Sequence, residues 1–201
     1  GVTQSPDQWV ASIYGRNEAA GDGVYGWSQN RYGTVGVTSS SNPSHAAVWA
    51  KNNGNGTGIR AEAGSEGIAA VFKGNVQVLS ASTGAILTEI GEGLDYAEGF
   101  DVAVDTDIEA GSVLVIDPDN PGKLAVSTRP YDTKVAGIVA GAKSLGSGVR
   151  LGAGQFDHDV ALAGRVYCNV DASLQDIEPG DLLTTSDLPG FAMKVTDSAR
   201  A

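Results

Sequence analysis

The sequence predicts an all-β chain in two parts, a stalk of short repeats followed by a compact β-barrel or sandwich. Three observations predict it. A four-residue phrase recurs six times within the first 70 residues, turn-forming residues follow each copy, and the second half alternates apolar and polar residues between Pro-Gly turns with no helical period. Charge divides the chain at the same place. Residues 1–80 carry five basic and five acidic residues, so the net charge of −11 belongs to residues 81–201. The organisation that follows is a repeat stalk over 1–80, a linker over 81–97 and an acidic β-rich domain over 98–201.

The repeated phrase reads small, β-branched, variable, small. Its copies are Ser12-Ile13-Tyr14-Gly15, Gly23-Val24-Tyr25-Gly26, Gly36-Val37-Thr38-Ser39, Ala47-Val48-Trp49-Ala50, Gly58-Ile59-Arg60-Ala61 and Gly67-Ile68-Ala69-Ala70. The branched positions lie 11, 13, 11, 11 and 9 residues apart. Gly, Asn, Asp and Ser cluster between copies, at Asp22-Gly23, Ser39 to Pro43, Asn52 to Gly58 and Gly64-Ser65, and these residues close tight turns. Frequent Gly and β-branched anchors disfavour helix, leaving short strands. In a strand the branched residue and the closing small residue share one face. The interior is therefore Ile13, Val24, Val37, Val48, Ile59 and Ile68. Each such residue stabilises by about 1.5–3 kcal/mol when buried, and six are too few for one chain's core. Three chains wound together would make each rung a closed triangle. The variable positions point outward, where Tyr14, Tyr25 and Trp49 are candidate glycan contacts or packing surface for a neighbouring strand.

In the acidic half, strands are expected over 112–117, 123–128, 135–140, 149–151, 160–170 and 181–185, with turns at Pro118 to Gly122 and Leu188-Pro189-Gly190. The stretch 87–97 fits a linker or a short helix. Ile108-Glu109-Ala110-Gly111-Ser112-Val113-Leu114 recurs as Ile177-Glu178-Pro179-Gly180-Asp181-Leu182-Leu183, each an acidic turn feeding a strand. A strand-like end at 192–195 leaves room for a closing strand supplied by a neighbour.

Little in the chain suggests catalysis. There are two histidines, His45 and His158. Asp157-His158-Asp159 offers a carboxylate-oriented imidazole, but in a strand the two Asp side chains share a face that His158 does not, and a polar loop is the simpler reading. The lone Cys168 lies in an alternating segment and reads as a buried, inert thiol. Asp105, Asp107, Asp117 and Asp119 have oxygen ligands at the spacing of a calcium loop, without the Gly and distal Glu of an EF-hand. Ca²⁺ is the metal they would suit, turn formation is the simpler reading, and no other cofactor is expected. Ten acids between Glu89 and Asp119, with no basic residue from Gly74 to Gly122, exclude nucleic acid as a partner and disfavour anionic membranes. No apolar run approaches the roughly 20 residues of a membrane-spanning helix.

Phrases such as Gly23-Val24-Tyr25-Gly26 and Gly58-Ile59-Arg60-Ala61, followed by Ala70-Val71-Phe72-Lys73-Gly74-Asn75-Val76-Gln77-Val78, resemble the repeats and closing strand of trimeric bacteriophage tail fibres and bacterial surface appendages. The order of blocks in the second half resembles a β domain that follows such stalks: Asp95-Tyr96-Ala97-Glu98, then Ile108 to Asp117, Tyr131 to Val139, Val160 to Val166 and Gly180 to Lys194. The resemblance implies a homotrimeric β-prism or β-helix stalk, an extracellular or virion-attached location, and a structural rather than enzymatic role, with end-to-end filaments as one form of assembly. A carbohydrate-binding adhesin recognising a surface glycan or receptor is the alternative. A self-cleaving or polysaccharide-degrading fibre protein comes third, although the Ser-Asp-Arg-Arg-Leu-Lys type of signature that introduces many chaperone domains is absent.

Overall fold

The computed structural model describes residues 15, 16, 22, 24–42, 44–103 and 108–200. The chain divides into two units, Gly1–Ala69 and Ala70–Ala201.

The described residues of the first unit contain no strand, where short strands were expected. Its turns are built as the composition predicts. Asn42 Oδ1 accepts the Ser44 N–H at 2.9 Å and Asn52 Oδ1 accepts the Gly54 N–H at 2.8 Å, so both side chains shape the backbone locally. Gly67 N–H closes another turn on Gly64 O at 2.8 Å. The small residues do permit close approach. A Cβ on Gly36 would stand 2.8 Å from Ala47 O, and one on Gly26 would stand 2.7 Å from Gly33 O. Val24, Val37, Val48, Ile59 and Ile68 are 66–83 % exposed in the single chain. Ile13 and Tyr14 lie outside the described residues.

Among its described residues the second unit holds ten strands: β1 Val76–Leu79, β2 Ile86–Ile90, β3 Asp95–Phe100, β4 Val113–Ile116, β5 Leu124–Val126, β6 Val135–Val139, β7 Val149–Leu151, β8 His158–Gly164, β9 Leu183–Thr185 and β10 Ala192–Lys194. The first eight form one mixed sheet in the order β1-β2-β7-β3-β8-β6-β4-β5. Every pairing is antiparallel except β3 with β7. β9 and β10 form a separate two-stranded sheet. The sole helical element among the described residues is a 3-10 turn, Ala142–Ser144.

Of the expected barrel or sandwich, no closed barrel is found among the described residues: β1 and β5 end an open ladder and do not pair with each other. The far half of the sheet nevertheless curls. A parallel bridge between Val102 and Leu124, with Leu124 N–H on Asp101 O at 3.0 Å, brings β5 back to the chain that leaves β3. Within the curl sits the core of Val102, Leu114, Leu124, Val139 and Val160, supported by Phe100 and Val126. The part made of β1, β2 and β7, with the Tyr96 end of β3, extends beyond it as a wing.

Two further expectations need correction. The stretch 81–97 is not a linker, because it contains β2 and enters β3. Its Glu89 and Asp95 are buried, and buried acids break the apolar alternation by which a strand is recognised. The strand expected over 160–170 ends at Gly164, whose φ of +100° turns the backbone out of the ladder.

Candidate functional site

Three constellations in the second unit could carry function, and the strand pairing explains each. The first is a polar ladder across the wing. Register places Gln77 beside Glu89 and Glu89 beside Arg150. Glu89 is buried and accepts from Gln77 Nε2 at 2.6 Å, Asn75 Nδ2 at 3.1 Å and Arg150 Nη2. Arg150 Nη1 continues to Asp159 Oδ2 at 2.9 Å. The Gln77 bond, then the Arg150 guanidinium, hold the Glu89 carboxyl below its ordinary range. Every charge in this row has a partner, so the ladder ties four strands together and offers no free acid or base.

The second is a hub around Tyr131 and Asp132. Tyr131 has a left-handed backbone, φ +58°. Its hydroxyl accepts the Thr196 and Asp197 N–H groups at 2.8 and 2.9 Å and donates to Thr196 Oγ1 at 3.0 Å. Arg200 stacks over its ring, 4.3 Å from the centroid. The buried Asp132 accepts from Arg129 Nε at 2.9 Å and Lys134 Nζ at 2.8 Å, while its N–H donates to Thr185 Oγ1 at 2.7 Å. The bond from Arg129, then that from Lys134, hold its carboxyl well below the carboxylate range. The hub fastens the chain's last described residues to β9.

The third is a cleft of about 570 Å³ lined by Glu109, Ser112, Thr128, Asn169, Pro189 and Phe191, among others. Its wall is the tight turn Glu109 to Ser112, closed by Ser112 N–H on Glu109 O at 3.1 Å. Gly111 sits there at φ +95°. Asn169 N–H donates to Gly111 O and Gly190 O accepts from Val113 N–H, both at 2.8 Å. The repeated phrase builds the same turn again, with Asp181 N–H on Glu178 O at 3.1 Å and Gly180 at φ +100°. One carboxylate, two hydroxyls, an amide, an aromatic ring and a proline suit a neutral polar ligand with an apolar face. Sequence reasoning missed Asn169 and Phe191, because positions so distant in the chain meet only through the fold.

Tyr25 and Trp49 are exposed and belong to the first unit. Asp105 and Asp107 lie outside the described residues. Asp117 is buried and turns both carboxylate oxygens onto its own loop: Oδ1 accepts from Asp119 N at 2.8 Å, and Oδ2 accepts from Asn120 Nδ2 at 3.1 Å. Asp119 is exposed. Among the described residues no three or more His, Cys, Asp or Glu side chains form a group suited to a metal ion.

Asp157-His158-Asp159 is not a loop throughout, since His158 and Asp159 open β8. Asp157 Oδ2 accepts the Val102 N–H at 3.0 Å and Asp159 holds Arg150, so the two carboxylates fasten strands. Cys168 is half-buried, donates to Asn169 O at 3.3 Å, and has its thiol pushed up by burial, the opposite of an activated nucleophile. Ser186 Oγ donates to Asp171 at 3.0 Å and caps Leu188 N–H, as a turn residue would. Ser40 Oγ meets His45 Nδ1 at 2.8 Å within an exposed turn.

Compared with protein-family models, curated proteins and solved structures, the chain matches none.

Proposed function

We propose that the chain is a structural, non-catalytic subunit of a trimeric fibre or appendage, extracellular or carried on a virion. Its repeats associate between copies, with Ile13, Val24, Val37, Val48, Ile59 and Ile68 turned to a shared interior. One observation carries this reading: the five described rung residues recur 9–13 residues apart and are 66–83 % exposed in a stretch whose described residues form no strand. Apolar side chains so placed gain their burial from another chain. Strands formed between copies would satisfy the repeats' unpaired backbone groups in the same step. The resemblance of the repeats to phage and appendage fibres supports the same assignment. Sedimentation equilibrium tests it. The expected mass is three times 20.5 kDa, and a stable folded monomer at all concentrations rejects the proposal.

A second reading, glycan binding, is favoured by the cleft at Asn169 and Phe191. A glycan array should then show hits that Asn169→Ala and Phe191→Ala remove. An array without signal leaves the structural role alone.

A further inference from the structure

The sheet of the second unit has a core face, and half of it is bare. Register fixes which residues share that face. Phe100 and Val160 lie on it within the core, and so does Glu98, paired with Val160. Following the same face outward, Tyr96 pairs with Val149, Val149 with Ile90, and Ile90 with Val76. Val78 and Leu151 lie on it beside Thr88. The wing therefore presents Val76, Val78, Ile90, Val149, Leu151 and Tyr96 as a continuation of the core surface. Val78, Ile90 and Tyr96 are 53, 52 and 40 % exposed. The opposite face carries the Gln77–Glu89–Arg150–Asp159 ladder, with its charges already paired. A sheet that pairs its charges on one side and leaves the core side open is arranged for a cover.

We propose that this cover is the same wing of other copies of the chain, so that the second unit has its own intersubunit contact, separate from the repeats. The proposal rests on the trimer reading for its number of copies. Three features favour a copy of this chain over a foreign partner. First, the chain carries a net charge of −11, all from residues 81–201, yet the bare face holds one charged residue, Glu98 at its inner end. Copies of so acidic a unit can meet there without opposing like charges. Second, β1 ends the sheet with the sequence Val-Gln-Val-Leu, which has neither charge nor proline to protect an edge strand. Third, β1 starts soon after the last repeat, Gly67 to Ala70. Copies held together by their repeats would deliver their β1 strands to one place at high local concentration.

The test uses the full chain, with hydrogen exchange read at high and low concentration and mass by sedimentation. Peptides spanning 76–90 and 149–151 are expected to lose protection roughly tenfold or more on dilution, while peptides from β4 and β6 stay protected. Val78→Glu with Ile90→Glu should weaken association at least tenfold. Equal exchange of the wing peptides in associated and dissociated protein overturns the inference, and so does wild-type association of the folded double variant. If the double variant fails to fold, the wild-type exchange decides. A parallel variant, Val37→Glu with Ile59→Glu, separates the two readings. Should it abolish trimers while wing exchange never responds to dilution, the repeat-based function stands and the wing contact falls. Should it leave association intact while the wing variant abolishes it, the wing contact stands and the repeat-based function falls.

Discussion

Gly111 and Gly180 occupy the same position in two copies of one turn, at φ +95° and +100°, and differ in their surroundings. A Cβ on Gly180 meets nothing within 4 Å, whereas one on Gly111 stands 2.8 Å from Asn169 Oδ1. Gly180→Ala should therefore lose only the cost of a left-handed L-residue, about 1–2 kcal/mol. Gly111→Ala should lose more, because Asn169 must also shift, and urea unfolding of the two variants gives the comparison. Both turns were legible in the sequence, since Glu-Ala-Gly-Ser and Glu-Pro-Gly-Asp name the turn type by their glycine. The partners of Asp132 were not, because Thr185 lies far along the chain and no local pattern encodes the meeting. Its chemistry predicts acid sensitivity. Asp132, Glu89 and Asp117 are all held below their ordinary range in the folded chain, chiefly by bonds from Arg129, Gln77 and the Asp119 N–H respectively. Such groups stabilise the fold fully above the usual carboxylate pKa of about 4 and lose that stabilisation as pH falls through the folded value. Melting temperature should be flat from pH 7 to about 5 and fall below about 4, and Asp132→Asn should flatten that acid limb. An acid limb unchanged in Asp132→Asn would remove Asp132 from the account.

At the scale of elements, strands with clean alternation or short apolar runs were legible. β4, β5, β6, β7 and β9 fall within the predicted segments, and β10 within the strand-like end. β2 and β3 were harder to read, because they place Glu89 and Asp95 where the pattern expects an apolar side chain. Their burial is tolerable only with partners from other strands, and a single sequence shows no such pairing. That makes Arg150 the test of the wing. Arg150→Ala leaves Glu89 buried with only two amide donors, Asn75 and Gln77. The loss should be about 2–3 kcal/mol, because Glu89 forfeits a charged hydrogen bond in a buried setting. Glu89→Gln combined with Arg150→Met should lose less than Arg150→Ala alone, since no uncompensated buried charge remains. Chemical denaturation of these variants beside the single variants Glu89→Gln and Arg150→Met decides it, and a double variant that sums the single losses would mean the two residues act independently. The bare face of the same wing follows from the same register: residues alternate, so placing the polar row on one side puts Val78, Ile90 and Tyr96 on the other.

At the scale of the whole molecule, the shift in charge predicts a boundary near residue 80, whereas the division falls at Ala69 and Ala70. The displacement has a physical cause, in that β1 takes its hydrogen bonds from β2 and so belongs to the sheet although its composition resembles the repeats. What composition cannot supply is what covers the apolar surface; on the proposed reading, a rung and a bare sheet face are each half of a contact between copies. Charge would set the conditions under which the proposed contact forms. Copies with a net charge of −11 repel one another, so association between apolar surfaces works against a long-range electrostatic cost. The range of that repulsion is about 30 Å at 0.01 M salt and about 8 Å at 0.15 M. Raising sodium chloride across that interval should therefore strengthen self-association, with both the rung and the wing contacts gaining. Contacts built on ion pairs between copies would respond in the opposite direction. Sedimentation at matched protein concentration and increasing salt separates the two. A trimer that dissociates as salt rises would mean that charged residues, not the apolar rungs and wing, hold the copies together.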